Sequence, residues 1–153
     1  MKLKVLFFAL LSLSSVAFFS ACTKDKEVIV EVDSSKPQGT FTATKSGAFV
    51  EQNATGSKGT AQLGTDSKGA QFLKFGSDFS SSFATGTVTV YLSTSMTFTP
   101  EPGSGNPNLR LIGPVKKAGE NYFLLDPVAE AKFTHVLLWC ASANVPFGYA
   151  PLQ

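Results

Sequence analysis

The residues with the greatest capacity for chemistry lie in one apolar segment, FTHVLLWCAS, at residues 133–142. It contains His135, the only histidine of the chain, and Cys140, one of two cysteines. A histidine activates a cysteine thiol when their side chains lie within hydrogen-bond reach. Five residues of extended strand span about 16 Å and place the two side chains on opposite faces. The segment therefore excludes a Cys–His dyad within one strand.

The remaining reactive groups are too few or too scattered to build a catalytic site. One histidine and one usable cysteine fall short of the ligand set that zinc requires. The 11 acidic residues stand singly, and the serines at residues 80–82 have neither a neighbouring base nor a G-x-S-x-G elbow. The sequence predicts no metal, no cofactor and no hydrolase chemistry, and it leaves Cys140 as the candidate redox thiol.

Two interpretations of Cys140 stay open. Cysteine outside a disulfide is among the most often buried residue types, so composition favours a place in the core. A single thiol in an exported chain can also pair with another chain or become oxidised. His135 and Trp139 share a strand face with apolar neighbours. We predict His135 as a hydrogen-bonded core or boundary residue and Trp139 as a core residue.

The N-terminus has the pattern of an export signal. Lys2 and Lys4 precede an apolar stretch over residues 5–19, which suits a signal peptide better than a spanning helix. Phe19-Ser20-Ala21-Cys22 resembles the bacterial lipobox. The resemblance predicts a lipoprotein signal peptide over residues 1–21 and lipidation of Cys22, with simple secretion as the alternative.

Lipidation of Cys22 would anchor the chain to a membrane without spanning it, because several acyl chains hold more firmly than one. We expect a place in the bacterial cell envelope. Thr23, rather than an aspartate, follows the lipid cysteine, which resembles lipoproteins that are sorted to the outer membrane. There the domain would face the periplasm or the surface. Without Lys2 and Lys4, 11 basic residues face 11 acidic ones, so no nucleic-acid partner is expected.

The mature chain divides into a tether and one domain. Residues 22–38 are charged and polar and predict a lipidated N-terminus with a flexible tether, although residues 28–32 could add an edge strand. Residues 39–153 alternate short apolar runs with turns, which predicts a single all-β domain, an antiparallel β-sandwich or barrel-like fold with little or no helix. The expected strands span residues 40–44, 48–51, 60–63, 71–75, 87–93, 108–112, 122–125 and 133–139.

Turns and loops complete the expected organisation. Residues 66–69 and 117–120 are predicted to close β-hairpins. Asp126-Pro127 predicts the start of a short helix that ends by Lys132. The Pro/Gly-rich stretch at residues 99–108 predicts a mobile loop, and ligand binding at this end of the domain is a further option.

Five segments of the chain, taken in order, resemble a known domain. They are GTFTA, GTAQL, FLKFGSDFSS, TGTVTVYLS and FTHVLLWCASANVPFGYAPL, and together they cover about residues 39–152. Their order is similar to the DM-thirteen domain, a β-rich extracellular module of animal Skeletor-like proteins and many bacterial lipoproteins.

The resemblance implies electron transfer, and it places that role on Cys140. The thiol would pass redox equivalents to a protein partner through a sulfenic acid or a mixed disulfide. The chain has no C-x-x-C-H haem signature, and Met96 has no credible axial partner. The rival prediction is a non-catalytic binding or structural module of the envelope with Cys140 buried in its core.

Overall fold

Two antiparallel sheets make up this computed structural model, which describes residues 33–84, 86–99 and 105–153. One sheet has the strand order β1-β3-β4-β7 and the other β2-β9-β8-β5-β6. The strands are β1 Thr42–Ala48, β2 Val50–Glu51, β3 Thr60–Thr65, β4 Gln71–Phe75, β5 Val88–Ser93, β6 Leu109–Val115, β7 Asn121–Leu124, β8 His135–Cys140 and β9 Val145–Pro151. The predicted all-β sandwich is confirmed, and the described residues contain no helix.

The core lies between the two sheets and follows from the two-residue period of the strands. In β5 the side chains of Val88, Val90 and Leu92 are fully buried, whereas Thr89 and Tyr91 are half-buried on the opposite face. This arrangement of β5 is as predicted. Rings from the four-stranded side fill the space, with Phe75 and Phe79 at a centroid distance of 4.6 Å.

The two sheets are joined at one corner by the last residue of the chain. Ser46 of β1 donates its backbone N–H to the carbonyl of Gln153 at 2.9 Å and accepts one in return at 3.1 Å. Beside this pair, a Cβ at Gly47 would collide with the carbonyl oxygen of Pro151. A glycine is therefore required where β1 and β9 approach so closely.

One of the two predicted hairpins is confirmed and the other is wrong. Residues 66–69 join β3 to β4, and Asp66 donates its backbone N–H to Ala70 O at 3.0 Å. The turn at residues 117–120 instead carries the chain from β6 in one sheet to β7 in the other. A turn signal alone cannot separate these cases, because β6 pairs with β5 and β7 pairs with β4.

One further prediction of secondary structure is wrong, and one observed strand was not predicted. Residues 126–132 form no helix, because Ala129 donates its backbone N–H to the side chain of Gln71 at 2.6 Å and a helix this short gains little by itself. The strand β9 is missing from the predicted strands, and its two prolines and one glycine disfavour a strand locally. It pairs with β8 and β2 and takes up the irregularity in a bulge opposite Leu138 and Trp139.

The predictions for the N-terminus fall largely outside the described residues. These are the signal peptide at residues 1–21, Cys22 and the alternative strand at residues 28–32. Of the predicted tether, the last six residues are described, and Gln38 donates its backbone N–H to the carboxylate of Asp66 at 2.9 Å. No helix among the described residues is long and apolar enough to cross a bilayer.

Asp66 makes the β3–β4 turn sensitive to acid. Its carboxylate accepts backbone N–H groups of Gln38, Lys68 and Ala70, and these bonds hold its pKa below the ordinary value despite burial. As the pH falls, the Asp66 carboxylate of the unfolded chain takes up a proton before that of the folded chain. The stability that this carboxylate contributes is therefore lost as the pH falls from the unfolded pKa to the lower, folded pKa. We expect Asp66→Asn to remove that part of the acid dependence in urea unfolding across acidic pH.

Ser67→Ala, in the same turn, keeps the carboxylate and serves as the control. Its stability is expected to fall with acid as the unsubstituted protein's does. Parallel pH curves for Asp66→Asn and the unsubstituted protein would contradict this role of Asp66.

Candidate functional site

Cys140 is the last residue of β8 and lies inside the sandwich. It pairs with Val88 of β5 and Val145 of β9, and its exposed fraction is 0%. Its neighbours on the same face of β8, Val136 and Leu138, belong to the same core cluster. The strand period therefore turns the thiol inward and makes it part of the core.

Burial of the thiol is shallow, because the chain reaches the surface at the next residue. Residues 141–144 form an exposed turn. From this turn, the hydroxyl of Ser142 lies 3.3 Å from Cys140 Sγ, and the backbone N–H groups of Ser142 and Ala143 also hydrogen-bond to the sulfur. A sulfur at the end of a strand thus receives donors from the turn that follows it.

These donors make the thiol more acidic. The hydrogen bond from Ser142 contributes most to lowering the pKa of Cys140, burial opposes it, and the two backbone N–H groups lower it further. The net direction is downward from the ordinary value. A thiolate is the reactive form of cysteine, so the arrangement favours nucleophilic sulfur chemistry once a reagent reaches it.

Gly86, just before β5, closes the site from the other side. Its backbone adopts a φ of +132°, which L side chains rarely adopt. A Cβ at this position would collide with the hydroxyl of Ser142 and lie 3.6 Å from Cys140 Sγ. Glycine is therefore needed here for both conformation and space, and a side chain would displace the main donor to the sulfur.

Trp139 occupies the opposite face of β8, so its predicted place in the core is wrong. It is half-buried on the outer face of the five-stranded sheet, where its ring stacks on Phe98 at 4.1 Å between centroids and 17° between planes. Phe98 also meets Tyr91 edge-on at 5.0 Å. The error has a simple cause: adjacent strand residues face opposite ways, and Cys140 takes the core side.

His135 begins β8 and takes no part in the thiol site. It lies at the other end of the strand from Cys140, as the sequence indicated. Its ring Nδ1 is 2.9 Å from the hydroxyl of Thr134, and burial lowers its pKa. It is half-buried and has a hydrogen-bond partner, so of the two predicted alternatives, core or boundary, it takes the boundary one.

Ser142 and Gly86 are the members of the site that sequence analysis did not identify. A serine two residues after a cysteine at a strand end was the available signal, but its meaning depends on how the turn folds back. No group of three or more His, Cys, Asp or Glu side chains suited to a metal occurs in the described ranges.

The fold and the site together define a β-sandwich module with one thiol at the end of a core strand. The chain belongs to the family Electron transfer DM13, whose model matches residues 48–152 and so includes β2 to β9 and the thiol site. The resemblance stated from the sequence is confirmed. Searches of curated proteins and of solved structures found no match.

Removing the Ser142 hydroxyl should raise the pKa of Cys140. We expect Ser142→Ala to shift the thiol titration upward, because the largest stabilising contact to the thiolate is lost while burial remains. The measurement is the thiolate absorbance of the fragment 23–153, in which Cys140 is the only cysteine. Ser34→Ala, an exposed serine remote in sequence, is the control; an unchanged titration in Ser142→Ala would contradict the assignment.

The Phe98 contact should be visible in the emission of Trp139, the only tryptophan. Phe98→Ala removes the stacked ring and exposes one indole face to water, so the emission maximum should move to longer wavelength. Phe41→Ala, directly before β1 of the other sheet, tests whether the shift is local. Equal spectra for Phe98→Ala and the unsubstituted protein would show that the stack does not persist in solution.

Proposed function

We propose that this protein is a lipid-anchored electron-transfer module of the bacterial cell envelope, in which Cys140 is the redox-active thiol. The observation that carries the proposal is the set of donors around Cys140 Sγ, in a chain of the Electron transfer DM13 family. A thiol that served only as packing would need no donors. A thiol that must ionise benefits from each of them.

The reaction we propose is a two-electron thiol cycle with a peroxide as oxidant and a protein dithiol as reductant. The Cys140 thiolate attacks one peroxide oxygen; an S–O bond forms, the O–O bond breaks, and the departing oxygen takes up a proton. Cys140 is oxidised to a sulfenic acid and the peroxide is reduced to an alcohol or water.

A thiolate of the partner then attacks the sulfenic sulfur of Cys140. The S–O bond breaks, its oxygen leaves as water, and a mixed disulfide forms. The partner's second thiolate then attacks the partner's first sulfur in the mixed disulfide. This step releases the Cys140 thiolate and leaves the partner with a disulfide of its own. One peroxide is consumed for each partner disulfide formed, so atoms and electrons balance.

Access to the sulfur favours a small oxidant. Cys140 has no exposed surface, and Gly86 and the turn at residues 141–144 enclose it. A peroxide needs only a small opening at that turn. Attack by a partner protein needs a larger movement of the turn, which is exposed and joined to the sulfur by hydrogen bonds of moderate length.

The anchor belongs to the same proposal. Lipidation of Cys22, supported by the lipobox-like residues before it, would hold the domain near a membrane, and the outer membrane is supported by Thr23. The polar residues up to Gln38 would serve as the tether, which leaves the domain able to meet a protein redox partner.

The alternative is a non-catalytic binding or structural module in which Cys140 only fills space. Its complete burial within the core cluster favours this alternative. In that case Cys140→Ser would cost about 1–3 kcal/mol through a poorly matched buried hydroxyl, with no effect on redox behaviour.

Alkylation kinetics of the fragment 23–153 separate the two functions. If Cys140 is the redox thiol, iodoacetamide should label the native protein with a half-maximal pH below that of an unperturbed cysteine thiol, and hydrogen peroxide should block that labelling until a dithiol is added. Ser142→Ala should label more slowly near neutral pH. Cys140→Ser gives the background.

The opposite outcome is equally definite. If labelling appears only in denaturant, and peroxide leaves the native thiol unchanged, Cys140 is core packing and the redox proposal fails. The lipid anchor is tested separately. Mass spectrometry of the mature N-terminus should find acyl chains on Cys22, and the Cys22→Ala variant should lack them.

A further inference from the structure

An open cavity of about 180 Å³ lies at the end of the five-stranded sheet, where β5 leads towards β6. One wall is formed by residues of the segment 93–99, and the other by Asn106, Asn108 and Leu109. Among the described lining residues, all except Leu109 carry a hydroxyl or a carboxamide, and none carries a charge. We call it the hydroxyl-lined cavity.

Hydrogen bonds hold the two walls together. Thr94 donates its backbone N–H to Asn108 O at 3.1 Å, and the Asn106 amide donates to Thr99 O at 2.6 Å. Thr134, next to β8, donates its hydroxyl to Thr94 O at 3.3 Å. Phe98 adds a fixed point, because its ring is stacked on Trp139. The described walls are thus already positioned, which lowers the entropy cost of binding.

Several polar groups in the cavity are available to a ligand. The side chains of Thr94, Thr97 and Asn108 line it, and within the described part of the chain they make no hydrogen bond. A hydroxyl or carboxamide both donates and accepts, so each can meet a ligand hydroxyl in either sense. The same residues offer nothing to neutralise an ion.

We propose that the hydroxyl-lined cavity binds a neutral saccharide or polyol. A charged ligand would lose hydration with no counter-charge among the lining residues that the structure describes, whereas a polyhydroxylated one finds matching donors and acceptors. On the measure by which one water needs about 10–15 Å³, the cavity has about 180 Å³, which leaves room for one sugar ring or a small polyol. The ring could belong to a free sugar or to a longer glycan.

Trp139 provides the readout, because it is the only tryptophan and stacks on Phe98, between the lining residues Thr97 and Thr99. The full chain in detergent is titrated with glucose, galactose, mannose, N-acetylglucosamine and myo-inositol, and then with their neutral oligosaccharides. Glucuronate and glucose 6-phosphate are the charged comparisons. Saturation-transfer NMR on the sugar protons confirms contact without relying on fluorescence.

The proposal expects at least one neutral probe to give a saturable change in Trp139 emission and a saturation-transfer signal. Thr97→Val and Asn108→Asp should each lower the affinity for that probe by about threefold to tenfold, the effect of one lost hydrogen bond. Thr42→Val, an exposed threonine of β1, is the matched control and should leave binding unchanged. Tighter binding of the oligosaccharide would identify the ring as part of a glycan; equal binding would identify a free sugar.

Three results would overturn the proposal. These are no saturable response to any neutral probe, equal or tighter binding of the charged probes, and equal losses in Thr97→Val and Thr42→Val. None of them bears on the redox proposal, because the titration does not use Cys140.

Discussion

The two-residue period of β8 is the constraint on which the rest of the structure depends. This strand is the centre of the five-stranded sheet and pairs with β5 on one side and β9 on the other. Pairing on both sides leaves it no freedom to rotate or slip, since a shift of one residue would expose its whole buried face. The inward position of Cys140 and the outward position of Trp139 are two consequences of one register.

Two effects act on the pKa of Cys140 in opposite directions: the hydrogen bonds from the turn after β8 lower it, and burial raises it. A fully buried thiol in apolar surroundings should resist ionisation. Here the chain ends its strand at the sulfur, so the next residues can fold back and present Ser142 and two backbone N–H groups. The same cysteine in the middle of β8 would have only apolar neighbours, because the strand's own N–H groups are engaged with β5 and β9.

The sequence predicts where several short strands lie and which side chains face inward, but it does not predict which strands pair with each other. The bounds of β4 and the inward face of β5 follow from local alternation, which chain neighbours alone determine. The turn between β6 and β7 crosses from one sheet to the other because β6 pairs with β5 and β7 pairs with β4. For β9, Pro146 and Gly148 oppose a strand locally, yet partners on both sides outweigh that preference.

Recognition of the site divides in the same way. Cys140 was identified from its residue type and its segment, whereas Ser142 and Gly86 matter only through the path of two connections. The face of Trp139 was mistaken because an apolar run favours both faces equally, and only the packing of β5 against β8 selects one.

The thiol site and the hydroxyl-lined cavity lie at opposite ends of the β5–β8 pair. Val88 faces Cys140 at one end, and Ser93 faces His135 at the other. One physical connection joins them: Trp139 is bonded to Cys140 in the chain and stacked on Phe98, whose neighbours line the cavity. This connection runs along the outer face of β8, whereas Cys140 faces the core, so the two sites lie on different sides of the same strand. The fold can therefore hold Cys140 beneath one face and a polar cavity beyond the far end of the same strand.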